Sequence, residues 1–142
     1  SSFSIFMNSL RSLSKGMLMK RILVVNDSVE LLEMMKTLLQ LQGHEPILRC
    51  YPLLKLEEIE DMKPDLIILD ILFGNQLPIG WIMLDLLKLS PSTAAIPVII
   101  CTAALKEVLE RQDILAAQGV IVLLKPFFVD DMLDALKRAF PA

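Results

Sequence analysis

From residue 21 onward, short apolar runs alternate five times with segments of helical pattern. The runs are rich in isoleucine and valine and almost free of polar interruptions: RILVVN (21–26), EPILRCY (45–51), DLIILD (65–70), IPVIIC (96–101) and VIVLLK (120–125). Strands of a parallel sheet covered on both faces read this way, whereas a half-exposed strand alternates apolar with polar positions. The pattern therefore predicts five parallel strands.

The intervening segments repeat apolar residues at the three-to-four spacing of amphipathic helices. The clearest stripe is the first, formed by Val29, Leu32, Met35 and Leu39. Asp27 or Ser28 can cap this helix, and Gly43 and Gly119 can close the helices before strands two and five. Five such units with right-handed crossovers predict a doubly wound (βα)5 α/β sandwich with the parallel sheet order 2-1-3-4-5.

Residues 1–19 differ from the rest because they are serine-rich and contain Arg11 and Lys15 but no acidic residue. Their apolar residues follow a helical spacing, which fits a leader, a cloning remnant or a short amphipathic helix. We interpret residues 1–19 as a dispensable N-terminal extension and residues 20–142 as one domain.

Composition excludes several classes of protein. With 54% hydrophobic and 22% charged residues the chain is expected to be compact and not disordered. The mean hydropathy of +0.57 is high, yet the longest uncharged apolar window, IPVIICTAAL, is far shorter than the ~20 residues of a membrane span. A net charge of −3 without a Lys/Arg cluster argues against direct nucleic-acid binding.

The histidine and the cysteines offer little support for a metal site. His44 lies in QGHEP and is interpreted as a solvated turn residue, which disfavours a His-based metal site or catalytic triad. Cys50 and Cys101 lack the spacing of metal ligands and are predicted to be small buried side chains in a reducing cytoplasm.

Polar residues follow the predicted strands at one end only: Asn26 and Asp27 after strand one, Asp70 after three, Thr102 after four, and Lys125 at the end of five. The carboxyl ends of parallel strands share one edge, where sites form at the reversal of strand order. An unpaired buried carboxylate is costly, so Asp70, which follows four aliphatic residues, demands an explanation. We expect these side chains to converge on one pocket.

Such a pocket suits phosphoryl chemistry. Two nearby carboxylates repel each other and favour a bound cation, and Mg²⁺ accepts one or two carboxylates together with waters and phosphate oxygens. A phosphoryl group held there could be attacked by Asp70 to give an aspartyl phosphate. Lys125 would balance the added charge, and the Thr102 hydroxyl could bond a phosphoryl oxygen.

The pieces KRILVVND, PDLIILD, IPVIICTA and LLKPF, in this order and spacing, resemble a response regulator receiver domain of the flavodoxin-like, CheY-like superfamily over residues 20–140. The resemblance implies that Asp70 is the phosphoacceptor, Asp27 an acidic Mg²⁺ ligand and the Leu72 backbone carbonyl a further ligand. It makes Thr102 the switch hydroxyl and Lys125 the conserved lysine, with a cis bond to the proline that follows.

We therefore expect the chain to be a stand-alone cytoplasmic module of two-component signal transduction. It would take a phosphoryl group from a histidine kinase or phosphotransfer protein in a phosphorelay and act on an effector protein. It would be no enzyme beyond its own phosphorylation and dephosphorylation. The fourth helix, strand five and the fifth helix would form the partner or homodimer surface, although Leu105, Val108 and Phe128 there are each interpreted as core.

Several residues depart from the family pattern. Asn26 replaces an acidic residue usual in relatives, so Mg²⁺ binding is predicted to be weaker but not lost. Val122 replaces an aromatic residue, so a conformational signal must use other packing. Leu72 and Ala104 offer no polar group to orient a water, which favours a long-lived phosphoryl state.

Two alternatives remain beside phosphorylation-dependent signalling. Asn26 and Val122 favour a degenerate receiver that binds partners or dimerises without phosphorylation, whereas Asp70, Thr102 and Lys125 count against it. A flavodoxin-like enzyme is disfavoured because the first βα loop presents acidic residues and not the backbone donors that a flavin phosphate needs.

Overall fold

The structure is a computed structural model that describes Ser2 and residues 18–141. Within residues 18–141 the elements are β1 (Arg21–Val25), α1 (Val29–Leu41), β2 (Glu45–Arg49), α2 (Leu56–Met62), β3 (Leu66–Leu69), α3 (Ile79–Leu89), β4 (Val98–Thr102), α4 (Leu105–Glu110), α5 (Gln112–Ala117), β5 (Ile121–Leu124) and α6 (Val129–Ala139). The interpretation of residues 1–19 as an extension falls outside the described residues, except for Ser2, Leu18 and Met19, which are exposed. None of the described helices is both long and apolar enough to span a bilayer.

The five strands form one parallel sheet in the order β2-β1-β3-β4-β5, which confirms the predicted doubly wound topology. The register pairs Val25 with Leu69 and Leu69 with Ile100. The backbone N–H of Asp70 continues the ladder by donating to the Val25 carbonyl at 3.0 Å. Asn26 and Asp70, the first residues after β1 and β3, therefore lie at the same level of the sheet.

Helices cover both faces of the sheet. Leu23 and Val25 of β1 pack with α2, α3, α4 and α5 on one face, while Ile22 and Val24 pack with α1 and α6 on the other. All residues of β3 and β4 are buried, as expected for continuous apolar runs. The edge strands β2 and β5 are only half-buried, because each has one neighbouring strand.

Two local differences from the expected elements have simple causes. The predicted fourth helix is interrupted at Arg111, whose backbone leaves the helical path between α4 and α5. At α1 the cap is Ser28, whose hydroxyl accepts from the Leu31 N–H at 3.2 Å. Gly43 and Gly119 close their helices with φ of 81° and 68°, the left-handed conformation that glycine adopts readily.

Several burial predictions were wrong. His44 is buried at 5% exposure, because the chain before β1 and the end of α6 cover it. Cys101 is buried as predicted, but Cys50 is exposed after the edge strand β2. Leu105 and Phe128 are also exposed, at 49% and 81%, and not core residues.

His44 makes stability depend on pH. Its Nδ1 accepts the Lys20 backbone N–H at 3.1 Å. Burial, and to a smaller degree the charge of Lys20, lower the pKa of His44 below its ordinary value of 6.5. In the unfolded chain His44 therefore binds a proton more readily than in the folded chain. The stability that comes from burying neutral His44 is complete above the ordinary histidine pKa and is lost as the pH falls below that pKa.

We expect urea unfolding to show a smaller loss of stability on acidification in His44→Gln than in the parent protein. Glutamine can still accept the Lys20 N–H but does not titrate. The two proteins are compared at one pH above and one pH below the ordinary histidine pKa. Equal losses in both proteins would contradict the assignment to His44.

Candidate functional site

Asp70 is the centre of the polar cluster at the carboxyl edge of the sheet. It directly follows β3 and is 5% exposed. Its Oδ2 accepts from Lys125 Nζ at 2.9 Å and from Asn26 Nδ2 at 3.2 Å. Its Oδ1 accepts from the backbone N–H groups of Ile71 at 2.6 Å and Leu72 at 3.4 Å. Both carboxylate oxygens are therefore bonded to protein donors, which is what a buried carboxylate requires.

Lys125 reaches Asp70 from the far side of β4. Its backbone N–H donates to the Thr102 carbonyl at 2.9 Å, which extends the β4–β5 pairing by one residue. The bond to Pro126 is cis, as the resemblance implies. The Lys125 side chain is 28% exposed and that of Asp70 7%, so the ion pair is half-buried and removing one partner would leave a poorly solvated charge.

Asn26 has a role in the geometry that an acidic residue could not have. It is 2% exposed, and its Nδ2 is one of the donors to Asp70. Its Oδ1 accepts from the Ser28 N–H at 2.8 Å, which fixes the amide orientation. A carboxylate at this position has no N–H to donate and would face a second carboxylate instead.

Asp27 and Thr102 lie at the same edge but bond elsewhere. Asp27 is exposed, and its Oδ2 accepts from the Gly74 N–H at 3.0 Å, which ties the β3–α3 loop to the β1–α1 turn. Thr102 is fully buried, and its Oγ1 accepts from the Ala104 N–H at 3.2 Å. The structure thus brings Asn26 and Lys125 into direct contact with Asp70, and places the other two side chains around that trio.

Cys101 lies beneath the polar cluster and is inert by its environment. Burial raises the pKa of its thiol to about 12, and Lys125 opposes and Asp70 reinforces that shift by smaller amounts. A thiol with this pKa is protonated at neutral pH and is a poor nucleophile. Cys101 is therefore not a candidate nucleophile at this edge.

The donor set at this edge fits Mg²⁺. The described part of the chain contains no group of three or more His, Cys, Asp and Glu side chains placed for a metal. Asp27, Asp70, the Leu72 backbone carbonyl and Asn26 would supply the oxygens, since Mg²⁺ commonly takes only one or two carboxylates and completes its shell with water. A cavity of about 480 Å³ opens beside Lys125, between Ser28 and Ala103.

Gly80 is a site residue that the sequence analysis missed. It begins the first turn of α3, and its N–H donates to the Ile71 carbonyl at 2.9 Å. A Cβ on Gly80 would lie 2.3 Å from the Asp70 carbonyl oxygen, so only glycine allows this approach. A glycine inside an apolar helical pattern was the available signal, since its cost in a helix needs a reason.

The comparisons with known proteins agree with this geometry. A family model, the response regulator receiver domain, matches residues 22–137. The chain belongs to this family. A search among curated proteins found no match.

Solved structures of receiver domains share the fold. Chemotaxis protein CheY4 of Vibrio cholerae is 22% identical, with a TM-score of 0.71 over 87% of this chain and 100% of that one. The N-terminal domain of a response regulator receiver protein from Methanoculleus marisnigri JR1 is 28% identical, with a TM-score of 0.61 over 88% and 99%. A CheY-like receiver domain protein from Methanospirillum hungatei JF-1 is 26% identical, with a TM-score of 0.68 over 84% and 92%.

In this receiver domain we expect Gly80→Ala to lower the free energy of unfolding by about 2 kcal/mol, because α3 must move away from the Asp70 backbone. Gly119→Ala is the matched control. Gly119 has a φ of +68° and open space around its Cα, so alanine there costs only backbone strain, about 1 kcal/mol. Urea unfolding measures both, and a Gly80→Ala cost no larger than the control's would contradict the close approach.

Proposed function

We propose that residues 20–142 form a cytoplasmic receiver module that accepts a phosphoryl group on Asp70. The observation that carries the proposal is the Asp70 carboxylate, buried at the carboxyl edge of the sheet with the Lys125 ammonium 2.9 Å away. Lys125 also lines an open cavity of about 480 Å³ together with Ser28 and Ala103, so the ammonium side of this ion pair faces open space.

The reaction is a displacement at phosphorus. A carboxylate oxygen of Asp70 attacks the phosphorus of a phosphohistidine on the donor protein, and a new O–P bond forms. The P–N bond breaks, and its electron pair remains on the imidazole nitrogen. The product is an aspartyl phosphate, which carries one more negative charge than the carboxylate. The Lys125 ammonium is already in place to balance that charge.

The Thr102 hydroxyl is suited to bind the product. Its Oγ1 accepts from the Ala104 N–H, which leaves its own proton available for a phosphoryl oxygen. Leu72 and Ala104 carry no polar side chain that could orient a water for hydrolysis. These features support a long-lived phosphoryl state.

Asp27, Asp70, the Leu72 carbonyl and Asn26 would hold Mg²⁺, which when bound supplies positive charge close to the phosphoryl oxygens. Asn26 contributes a neutral oxygen where an acid would contribute a charge, so this chain would bind the ion more weakly than relatives with an acid there. Removing that charge also removes the repulsion between positions 26 and 70.

The partners we propose are a histidine kinase or phosphotransfer protein and a downstream effector protein. The surface formed by α4, β5 and α6 is proposed to contact the effector or a second copy of the chain. Exposed Leu105 and Phe128 on or beside these helices support this choice, since both are available to a partner. No direct contact with nucleic acid is proposed, because the net charge is −3.

Acetyl phosphate with Mg²⁺ is expected to add a single phosphoryl group to the protein, detected by intact mass. Asp70→Asn should abolish the adduct because an amide is not a nucleophile here. Lys125→Met should slow the reaction by about 100-fold, because one positioned cation is lost beside the developing charge. An adduct that persists in Asp70→Asn would contradict the assignment of the acceptor.

A degenerate receiver that acts without phosphorylation is the second candidate, and the neutral Asn26 is the observation in its favour. We expect Asn26→Asp to bind Mg²⁺ about tenfold more tightly by calorimetric titration, because it adds a formal charge to the ligand set. Asn26→Ala is the control that removes the amide without adding charge. Unchanged Mg²⁺ affinity in Asn26→Asp, together with no phosphoryl adduct in the parent protein, would favour the degenerate receiver.

A further inference from the structure

Trp81 is placed by the backbone of the acceptor residue. It follows Gly80, whose N–H donates to Ile71 and whose Cα packs against the Asp70 carbonyl. The indole is 4% exposed, and its Nε1 is buried without a hydrogen-bond partner among the described residues. A shift of the Asp70–Ile71 backbone would therefore be passed directly to the start of α3 and to this ring.

Arg111 lies over the Trp81 ring. Its guanidinium carbon is 4.4 Å from the Trp81 ring centroid, within the range of a cation–π contact. Its Nη1 is 3.6 Å from Asp85 Oδ1, one helical turn further along α3. Arg111 is also the residue at which α4 ends and α5 begins. The break between these helices is thus attached to α3 by one side chain.

The other end of α4 is attached to the acceptor site as well. Ala104 precedes the helix, and its N–H donates to Thr102 Oγ1. The six residues of α4 are therefore held at the start by Thr102 and at the end by Arg111 on Trp81. Between these two attachments Leu105 and Leu109 are exposed, at 49% and 55%.

We propose that Arg111 is a positioning residue that, through Trp81, holds α4 in its unphosphorylated arrangement. This inference rests on the proposed function. When the Thr102 hydroxyl donates to a phosphoryl oxygen, Thr102 moves toward that oxygen, and its bond with the Ala104 N–H carries the movement to the start of α4. The end of α4 then moves against the Arg111–Trp81 contact.

Linkage makes the proposal quantitative. Suppose that the Arg111–Trp81 contact favours the unphosphorylated arrangement by a certain factor. Removing the contact must then raise the affinity for a phosphoryl mimic by up to that factor. We expect Arg111→Ala to bind beryllofluoride, in the presence of saturating Mg²⁺, about fivefold more tightly than the parent protein. A residue with only a structural role would weaken binding or leave it unchanged.

Trp81 is the only tryptophan of the chain, so the tryptophan fluorescence reports on the surroundings of this one indole. Beryllofluoride is titrated into the full-length protein with Mg²⁺ present, and the fluorescence change gives both the amplitude and the affinity. The parent protein is expected to respond, and Arg111→Ala to respond with smaller amplitude and tighter binding. Arg111→Lys retains a cation over the ring and should restore most of the parent behaviour.

Asp85→Asn is the matched control, because it removes the ion pair with Arg111 but keeps the contact with the ring. It should behave like the parent protein. Urea unfolding verifies that each variant is folded. If Arg111→Ala does not fold, Arg111→Gln, which keeps a long side chain but removes the cation over the ring, replaces it: tighter beryllofluoride binding than in the parent protein supports the proposal, and equal or weaker binding overturns it.

Phosphorylation by acetyl phosphate is followed separately by intact mass. An adduct on Asp70 without any change in Trp81 fluorescence, or with equal beryllofluoride affinity in the parent and Arg111→Ala, overturns the role of Arg111 and leaves the proposed function standing. No adduct and no response to beryllofluoride in the parent protein overturns both.

Discussion

The need to bond both oxygens of one buried carboxylate explains much of how this receiver domain is assembled. An unpaired carboxylate at 5% exposure would cost several kcal/mol, so Asp70 requires nearby donors. Those donors come from the residues that follow β1 and β3 and from the end of β5. The β1–β3 register sets Asn26 at the level of Asp70, and Lys125 reaches across β4. The strand order and the register of the sheet are therefore what bring the donors within hydrogen-bonding distance of Asp70.

The sheet was predictable because burial on both faces leaves a simple mark in the sequence. The central strands β3 and β4 are wholly buried and read as unbroken aliphatic runs. The same logic fails where burial depends on distant contacts. His44 sits among polar neighbours in sequence, yet Lys20 and Phe140 from the two chain ends cover it. The break at Arg111 was also invisible, since apolar residues continue at helical spacing on both sides.

At the site, the sequence revealed which residues meet but not how they bond. Topology alone brings every strand end to one edge, so the gathering of polar residues followed from strand order. The partner of each side chain depends on loop paths that no periodicity encodes. Asp27 bonds to Gly74 and Thr102 to Ala104, and neither is hydrogen-bonded to Asp70. The role of Gly80 was not predicted, because it depends on the lack of a Cβ at a position that packs against the Asp70 carbonyl, and this packing is known only from the structure.

Asn26 changes the balance between the resting site and any phosphorylated one. With an acid at position 26, the resting edge would hold three carboxylates against one ammonium, and a cation would be needed even at rest. With asparagine it holds Asp27 and Asp70 against Lys125, and the amide itself donates to the acceptor. The Asp70 carboxylate is thus stabilised by an amide, an ammonium and two backbone N–H groups. Under the proposed function, a divalent cation would contribute most when the phosphoryl group adds a further negative charge, because the carboxylate before transfer already has the protein donors Asn26 and Lys125.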